Sequence, residues 1–225
     1  MNQHHVLYAD SIQFTYPNRP PLLTGAHLCC TIGQIIGLLG RNGSGKSTLL
    51  KIVYGEIKAH HSHIKINGRL VNKAYLTNQV RYLPQHAFLP SHERVNRMIK
   101  LLTPSTDFRE AILTDIRIQS FQNKRIFQLS GGELRYLELC LLLYQPGDFV
   151  LLDEPFTGLE PLYIQHISEL ISSFQDRKGF VITDHNYRQV LDLCTDILLL
   201  QHGTCKTILD KRSLEFHYLP EGTFD

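Results

Sequence analysis

Gly40-Arg41-Asn42-Gly43-Ser44-Gly45-Lys46-Ser47 fills every fixed position of the spacing G-x-x-x-x-G-K-[ST]. An apolar run, Ile35–Leu39, precedes it, and Thr48–Val53 follows with a helical pattern. A strand, a glycine-rich turn and a helix in that order make a phosphate cradle rather than a chance turn. The glycines tolerate positive φ and let backbone N–H groups turn inward around phosphate oxygens. The helix N-terminus adds the positive end of its dipole. Lys46 has the reach for the β- and γ-phosphates, and the Ser47 hydroxyl can ligate Mg²⁺. Gly40, Asn42, Gly43, Ser44, Gly45, Lys46, Ser47 and Thr48 are therefore the candidate phosphate-binding residues. By itself this stretch indicates a nucleotide phosphate and leaves the base open.

Outward from the cradle, apolar runs alternate with helical patterns, as in an α/β fold. Ile35–Leu39, Phe149–Leu152 and Phe180–Thr183 are almost wholly apolar, which suits strands buried on both faces of a largely parallel sheet. Ile164, Ile167, Leu170, Ile171 and Phe174 recur at helical spacing after Pro161. The first seventy or so residues are richer in strand signals: Val6–Phe14, Ala26–Ile32, and Ile64-Lys65-Ile66 running into the turn residues Asn67-Gly68. Between Ser91 and Gln119 the pattern turns helical. Val95, Met98, Ile99 and Leu102 fit one face, and Phe108, Ile112 and Ile116 another. This segment is expected to form a small helical lobe inserted into the sheet domain.

Phe149-Val150-Leu151-Leu152-Asp153-Glu154 reads as a buried strand ending in two carboxylates. Parallel strands end near the ligand crevice. Asp153 is expected beside the Mg²⁺, and Glu154, one residue further, can face the water that attacks the γ-phosphate. Leu129-Ser130-Gly131-Gly132-Glu133 opens another helical pattern, in which Leu137, Cys140, Leu141 and Tyr144 share a face. Ser130 with Glu133 three residues on reads as a capping box. The same Ser-Gly-Gly turn is also a second anion-binding element, and both readings can hold together.

Taken together and in this order, the motifs resemble those of the ABC (ATP-binding cassette) ATPases, and the resemblance runs from end to end of the chain. It implies an α/β fold: a P-loop NTPase core with a β-rich N-terminal subdomain and an inserted helical subdomain near residues 86–146, all within one ATPase domain over 1–225. It implies ATP and Mg²⁺ as cofactors, with Ser47, Gln85 and Asp153 around the metal. In that family the signature of one protomer meets the γ-phosphate on the P-loop of another. Ser130, Gly131 and Gly132 would then act in trans across a head-to-tail pair, made with a second copy or a close relative.

Four shorter elements extend the resemblance. Tyr16, in Phe14-Thr15-Tyr16-Pro17, resembles the aromatic that stacks on adenine. Gln85, in Leu83-Pro84-Gln85, resembles the glutamine that contacts Mg²⁺ and the attacking water. His185, in Thr183-Asp184-His185, resembles the switch histidine at the γ-phosphate, so that Glu154, His185 and Gln85 form the expected catalytic set. Thr157-Gly158-Leu159-Glu160 resembles the loop that crosses the dimer interface. Glu133 stands where the signature usually has glutamine and is expected to face away from the phosphates. Glu160 replaces an aspartate of the crossing loop, and Cys140 a small alanine.

The bulk properties limit the partners. A formal charge of +2 demands no nucleic-acid partner. No apolar run approaches the roughly 18 residues of a spanning helix, and the N-terminus lacks a secretory pattern. The resemblance therefore implies a transporter motor at the inner face of the cell membrane, held there by a separate transmembrane permease, with His86–Pro90 helping to form the docking groove. The alternative is a soluble non-transport ABC ATPase acting on ribosomes or nucleic acid, but the chain lacks the second cassette, long coiled coil or basic arm of such proteins. His60, His61 and His63 read as a solvated hairpin rather than a metal site. Asn72-Lys73-Ala74-Tyr75 lacks the Asp of a guanine-reading motif, which argues against a GTPase. Lys206, Lys211 and Arg212 read as a solvated face, and the five cysteines as reduced, mostly buried thiols.

Overall fold

A computed structural model describes residues 5–103, 105–210 and 214. Its strands are β1 (Val6–Phe14), β2 (Leu23–Thr31), β3 (Ile35–Leu39), β4 (His61–Ile66), β5 (Arg69–Leu70), β6 (Val80–Leu83), β7 (Phe149–Asp153), β8 (Gly179–Thr183), β9 (Asp196–Gln201) and β10 (Thr204–Ile208). Its helices are α1 (Lys46–Tyr54), α2 (Val95–Leu102), α3 (Thr106–Thr114), α4 (Ile116–Phe121), α5 (Gly131–Leu143), α6 (Pro161–Ser173) and α7 (Tyr187–Leu193).

The main sheet has six strands in the order β10-β9-β3-β8-β7-β6. The run from β9 to β6 is parallel, and β10 joins one edge antiparallel. Alternate residues of its central strands enter two different cores. Ile35 and Leu39, Val150 and Leu152, and Phe180 and Ile182 pack with the helices on one face. Ile36 and Leu38, Phe149 and Leu151, and Val181 face α1 and a second sheet. Neither face meets water, so these strands carry no polar alternation. The second sheet, β2-β1-β4-β5, is antiparallel and comes from the β-rich N-terminal part of the chain. Its hairpin turn uses Asn67 and Gly68, both at positive φ, as a tight two-residue connection requires.

Helices α2 to α5 lie between β6 and β7 in sequence. Val95, Met98 and Ile99 are buried as one face of α2, and Leu102 packs against them. The second expected face, Phe108, Ile112 and Ile116, needs correction. Ile112 is buried, but Phe108 is 37% and Ile116 76% exposed. Asp115 ends α3 and caps α4 by accepting from the Arg117 N–H, so Ile116 starts a new helix in a new direction. Helix α5 also differs from expectation: every residue from Arg135 to Leu143 is buried, because the helix runs through the core rather than along its edge. Among the described residues no helix is long and apolar enough to cross a membrane.

The discounted features behave as surface. His61 and His63 lie on β4, and no three His, Cys, Asp or Glu side chains among the described residues cluster as metal ligands. His60 stacks on Phe14 at 5.9 Å. Lys206 is exposed, while Lys211 and Arg212 lie outside the described residues. None of the five cysteines is in a disulfide; Cys29 is exposed and the other four are buried.

Candidate active site

Helix α1 begins at Lys46 directly after the cradle, with Gly45 at its N-cap in the left-handed region and no side chain capping the first turn. Its first N–H groups are thus left for an anion. A side chain at Gly45 would meet Leu22 and Leu23 at 3.1 Å as well as being strained at φ +105°. Lys46 is 7% exposed and donates to the Gly40 carbonyl at 2.7 Å and that of Arg41 at 3.3 Å, spanning its own loop. Burial pulls its pKa down, while the carboxylates of Glu154 and Asp153 push it back up. The buried Ser44 hydroxyl has no hydrogen-bond partner among the described residues. An uncapped helix end, an orphaned hydroxyl and a buried ammonium suit a polyphosphate.

The cradle forms the floor of a cleft of about 510 Å³. Tyr16, Arg19, Pro20, Pro21, Leu22, Glu154 and His185 complete its walls. The Tyr16 ring stands edge-on against Phe14 at 4.7 Å, and its hydroxyl lies 3.2 Å from the Thr48 hydroxyl. It is 38% exposed, leaving a ring face available to an aromatic base.

Strand β7 carries Asp153 to the cleft. Its Oδ1 accepts from Ser47 at 2.8 Å and its Oδ2 from Tyr82 at 2.9 Å. Burial raises the Asp153 pKa, and these two hydrogen bonds hold it down. A serine hydroxyl against a carboxylate is a hard-oxygen donor set, which suits Mg²⁺. Glu154 follows at φ +52°, a left-handed backbone uncommon for a residue with a side chain. Its N–H donates to the Thr183 carbonyl at 2.7 Å, which pins the turn. Its Oε1 lies 2.8 Å from His185 Nε2, and its Oε2 accepts from the Gln85 amide at 2.9 Å and the Thr157 hydroxyl at 3.1 Å. Strand ends β6, β7 and β8 therefore bring Gln85, Glu154 and His185 to one point.

Ser130, Gly131 and Gly132 are not among the residues lining this cleft. Ser130 caps α5 with both halves of the capping box formed: the Glu133 N–H donates to Ser130 Oγ, and the Ser130 N–H to the Glu133 carboxylate. The Glu133 carboxylate also pairs with Lys124 at 3.0 Å, so its charge is spent at the cap. Ser130 and Gly131 are exposed, and Gly132 is buried. Glu160 is the exposed N-cap of α6.

Some polar groups at the site were not anticipated as such. Tyr82 braces Asp153; Thr157 braces Glu154; Asp184, 1% exposed, accepts from the Phe156 and Asn186 N–H groups and so ties the loop after β7 to the His185 loop. Arg135 and Glu138 lie behind the site within α5. An Arg and a Glu three residues apart in the apolar stretch from Leu134 to Leu143 were the signal available for the last two.

The ABC transporter family profile matches residues 23–157. A lipopolysaccharide export system ATP-binding protein of Escherichia coli strain K12 is 31% identical over 96% of this chain and 97% of its own. A chelated iron transport system protein of Yersinia pestis is 28% identical over 94% of this chain and 78% of its own. In fold, the chain matches a solved ATP-binding subunit of an ABC transporter with a TM-score of 0.81 at 22% identity, over 94% of this chain and 93% of that one. The nucleotide cleft and the match over most of its length agree: the chain belongs to the ABC transporter family, as an ATP-binding subunit that hydrolyses ATP.

Proposed function

We propose that this ATPase drives a separate transmembrane permease, and that Glu154 is the base of its hydrolytic step. The observation that carries the second half is the convergence on the Glu154 carboxylate of Gln85, His185 and Thr157 at the mouth of the phosphate cleft. A carboxylate fixed in this way can accept a proton from the water that attacks the γ-phosphorus, as the terminal phosphoryl group leaves ADP. Gln85 and His185 orient the carboxylate and the water. Lys46 and the N-terminus of α1 hold the β- and γ-phosphates, and Tyr16 stacks on the adenine. Ser47 and Asp153 would hold Mg²⁺, with Gln85 as the third expected ligand, and the ion would neutralise charge on the phosphate oxygens.

The exposed Ser130-Gly131 end of α5, lying outside its own cleft, supports a head-to-tail pair in which it covers the phosphates of a second copy or close relative. A permease partner at the inner membrane face is supported by the transport names of both relatives. Those names differ in cargo, so cargo choice is assigned to the permease. The test is steady-state hydrolysis with ATP binding measured alongside. Glu154→Gln should bind ATP normally and lose on the order of 100- to 10,000-fold in kcat. Lys46→Ala should lose ATP affinity. Wild-type turnover in Glu154→Gln removes Glu154 from this role, and unchanged affinity in Lys46→Ala overturns the cradle.

A further inference from the structure

We infer that Arg135 and Glu138, a buried pair within α5, are positioning residues that hold the Gln85 loop and the Glu154 turn in one frame. The inference rests on the roles proposed above for those two residues. Arg135 Nη1 donates to the Pro84 carbonyl at 2.7 Å, one residue before Gln85. Its Nη2 donates to the carbonyls of Asp153 at 2.8 Å and Glu154 at 3.1 Å. One guanidinium thus bridges the backbones of both catalytic segments, which the planar fork of an arginine can do and a lysine cannot. Glu138 lies 3.5 Å from Arg135 and accepts from the Phe88 N–H at 2.7 Å and the Leu89 N–H at 3.4 Å. It therefore fastens the far end of the same loop.

Stability alone does not account for the pair. Arg135 is 7% and Glu138 0% exposed, and burial works against the charge on each, lowering the pKa of Arg135 and raising that of Glu138. Replacing such a pair with apolar side chains of similar volume is often neutral or stabilising. What apolar side chains cannot supply is the set of donors and acceptors that pins the 84–89 loop and the Glu154 turn to one helix. The need for pinning is visible at Glu154, whose left-handed backbone is held by Thr183 on its N–H side and by Arg135 on its carbonyl side. The helix that carries the pair starts at Ser130, so a movement of α5 or of residues 86–89 reaches Glu154 through this frame.

The test compares wild type, Arg135→Met/Glu138→Met, Arg135→Lys, Glu138→Gln and Glu154→Gln by kcat, KM for ATP and melting temperature. The double variant removes both charges together but leaves the backbone groups they bonded without partners, so it should fold with a lowered melting temperature. Its kcat should fall about 100-fold with KM for ATP unchanged, as expected when a distant change misplaces reacting groups. Glu138→Gln keeps an acceptor for the Phe88 N–H and should retain most of the activity, whereas Arg135→Lys should not. Wild-type kcat in a folded double variant overturns the inference, as does a loss of kcat that merely tracks melting temperature across the set. If the double variant does not fold, wild-type kcat in both Arg135→Lys and Glu138→Gln overturns it. Glu154→Gln separates the two failures. If it is inactive while the Arg135 variants are normal, only this inference falls; if it is active, the site assignment beneath it falls.

Discussion

Gly131 and Gly132 are adjacent glycines with different constraints. A β-carbon on Gly131 would point into open space, whereas one on Gly132 would run into the Tyr163 ring of α6. The second glycine is thus required by helix packing, whatever it does for a nucleotide. Gly132→Ala should destabilise the fold by about 1–3 kcal/mol through overpacking. Gly131→Ala should stay within about 0.5 kcal/mol of wild type. Urea unfolding of both variants checks this, and equal midpoints would remove the packing constraint. Glu154 makes the complementary point. Its place at the end of an apolar strand was readable, but its left-handed backbone was not, nor were its side-chain contacts with Gln85 and His185, which follow β6 and β8 and which only folding brings together.

Among the elements, α5 departs furthest from what periodicity indicates. Its apolar positions were legible, but its burial on every side was not, because a helix inside a core needs no polar face to mark it. Just beyond its C-terminus, the Lys178 ammonium donates to the Gln145 carbonyl at 3.0 Å and the Gly147 carbonyl at 2.6 Å. Burial lowers its pKa from 10.5 to about 8. The folded state therefore releases this proton before the unfolded chain does. Between pH 8 and 10.5 the unfolded state binds more protons, so the contribution to stability rises with pH and is lost as pH falls through 8. Relative to Lys178→Met, wild-type unfolding free energy should rise by on the order of 1 kcal/mol per pH unit in that window. Denaturant titrations at several pH values measure the difference, and a flat one would place the Lys178 pKa back near its ordinary value.

For the whole molecule, the question is what covers the exposed end of α5. In the head-to-tail pair proposed above, a γ-phosphate bound in the cleft would give two chains a contact that neither makes alone, so ATP should shift the population toward a pair. Sedimentation velocity of Glu154→Gln, which should bind ATP without consuming it, is expected to show dimer with Mg²⁺-ATP and monomer with ADP. A chain that stays monomeric with ATP, and hydrolyses it in strict proportion to protein concentration, counts against the head-to-tail sandwich.

Elements with a local cause were legible in the chain: the cradle, the two-faced apolar strands, the Pro161 start of α6 and the capping box at Ser130. Each follows from steric freedom, burial period or a hydrogen bond within a few residues. Long-range packing set the outward face of Ile116, the brace from Tyr82 to Asp153, and the reach of Arg135 to three carbonyls from distant parts of the chain. Those contacts join residues up to 71 positions apart, as Tyr82 and Asp153 are. No local pattern encodes them, because the partner is chosen by which strand ends the parallel sheet sets side by side.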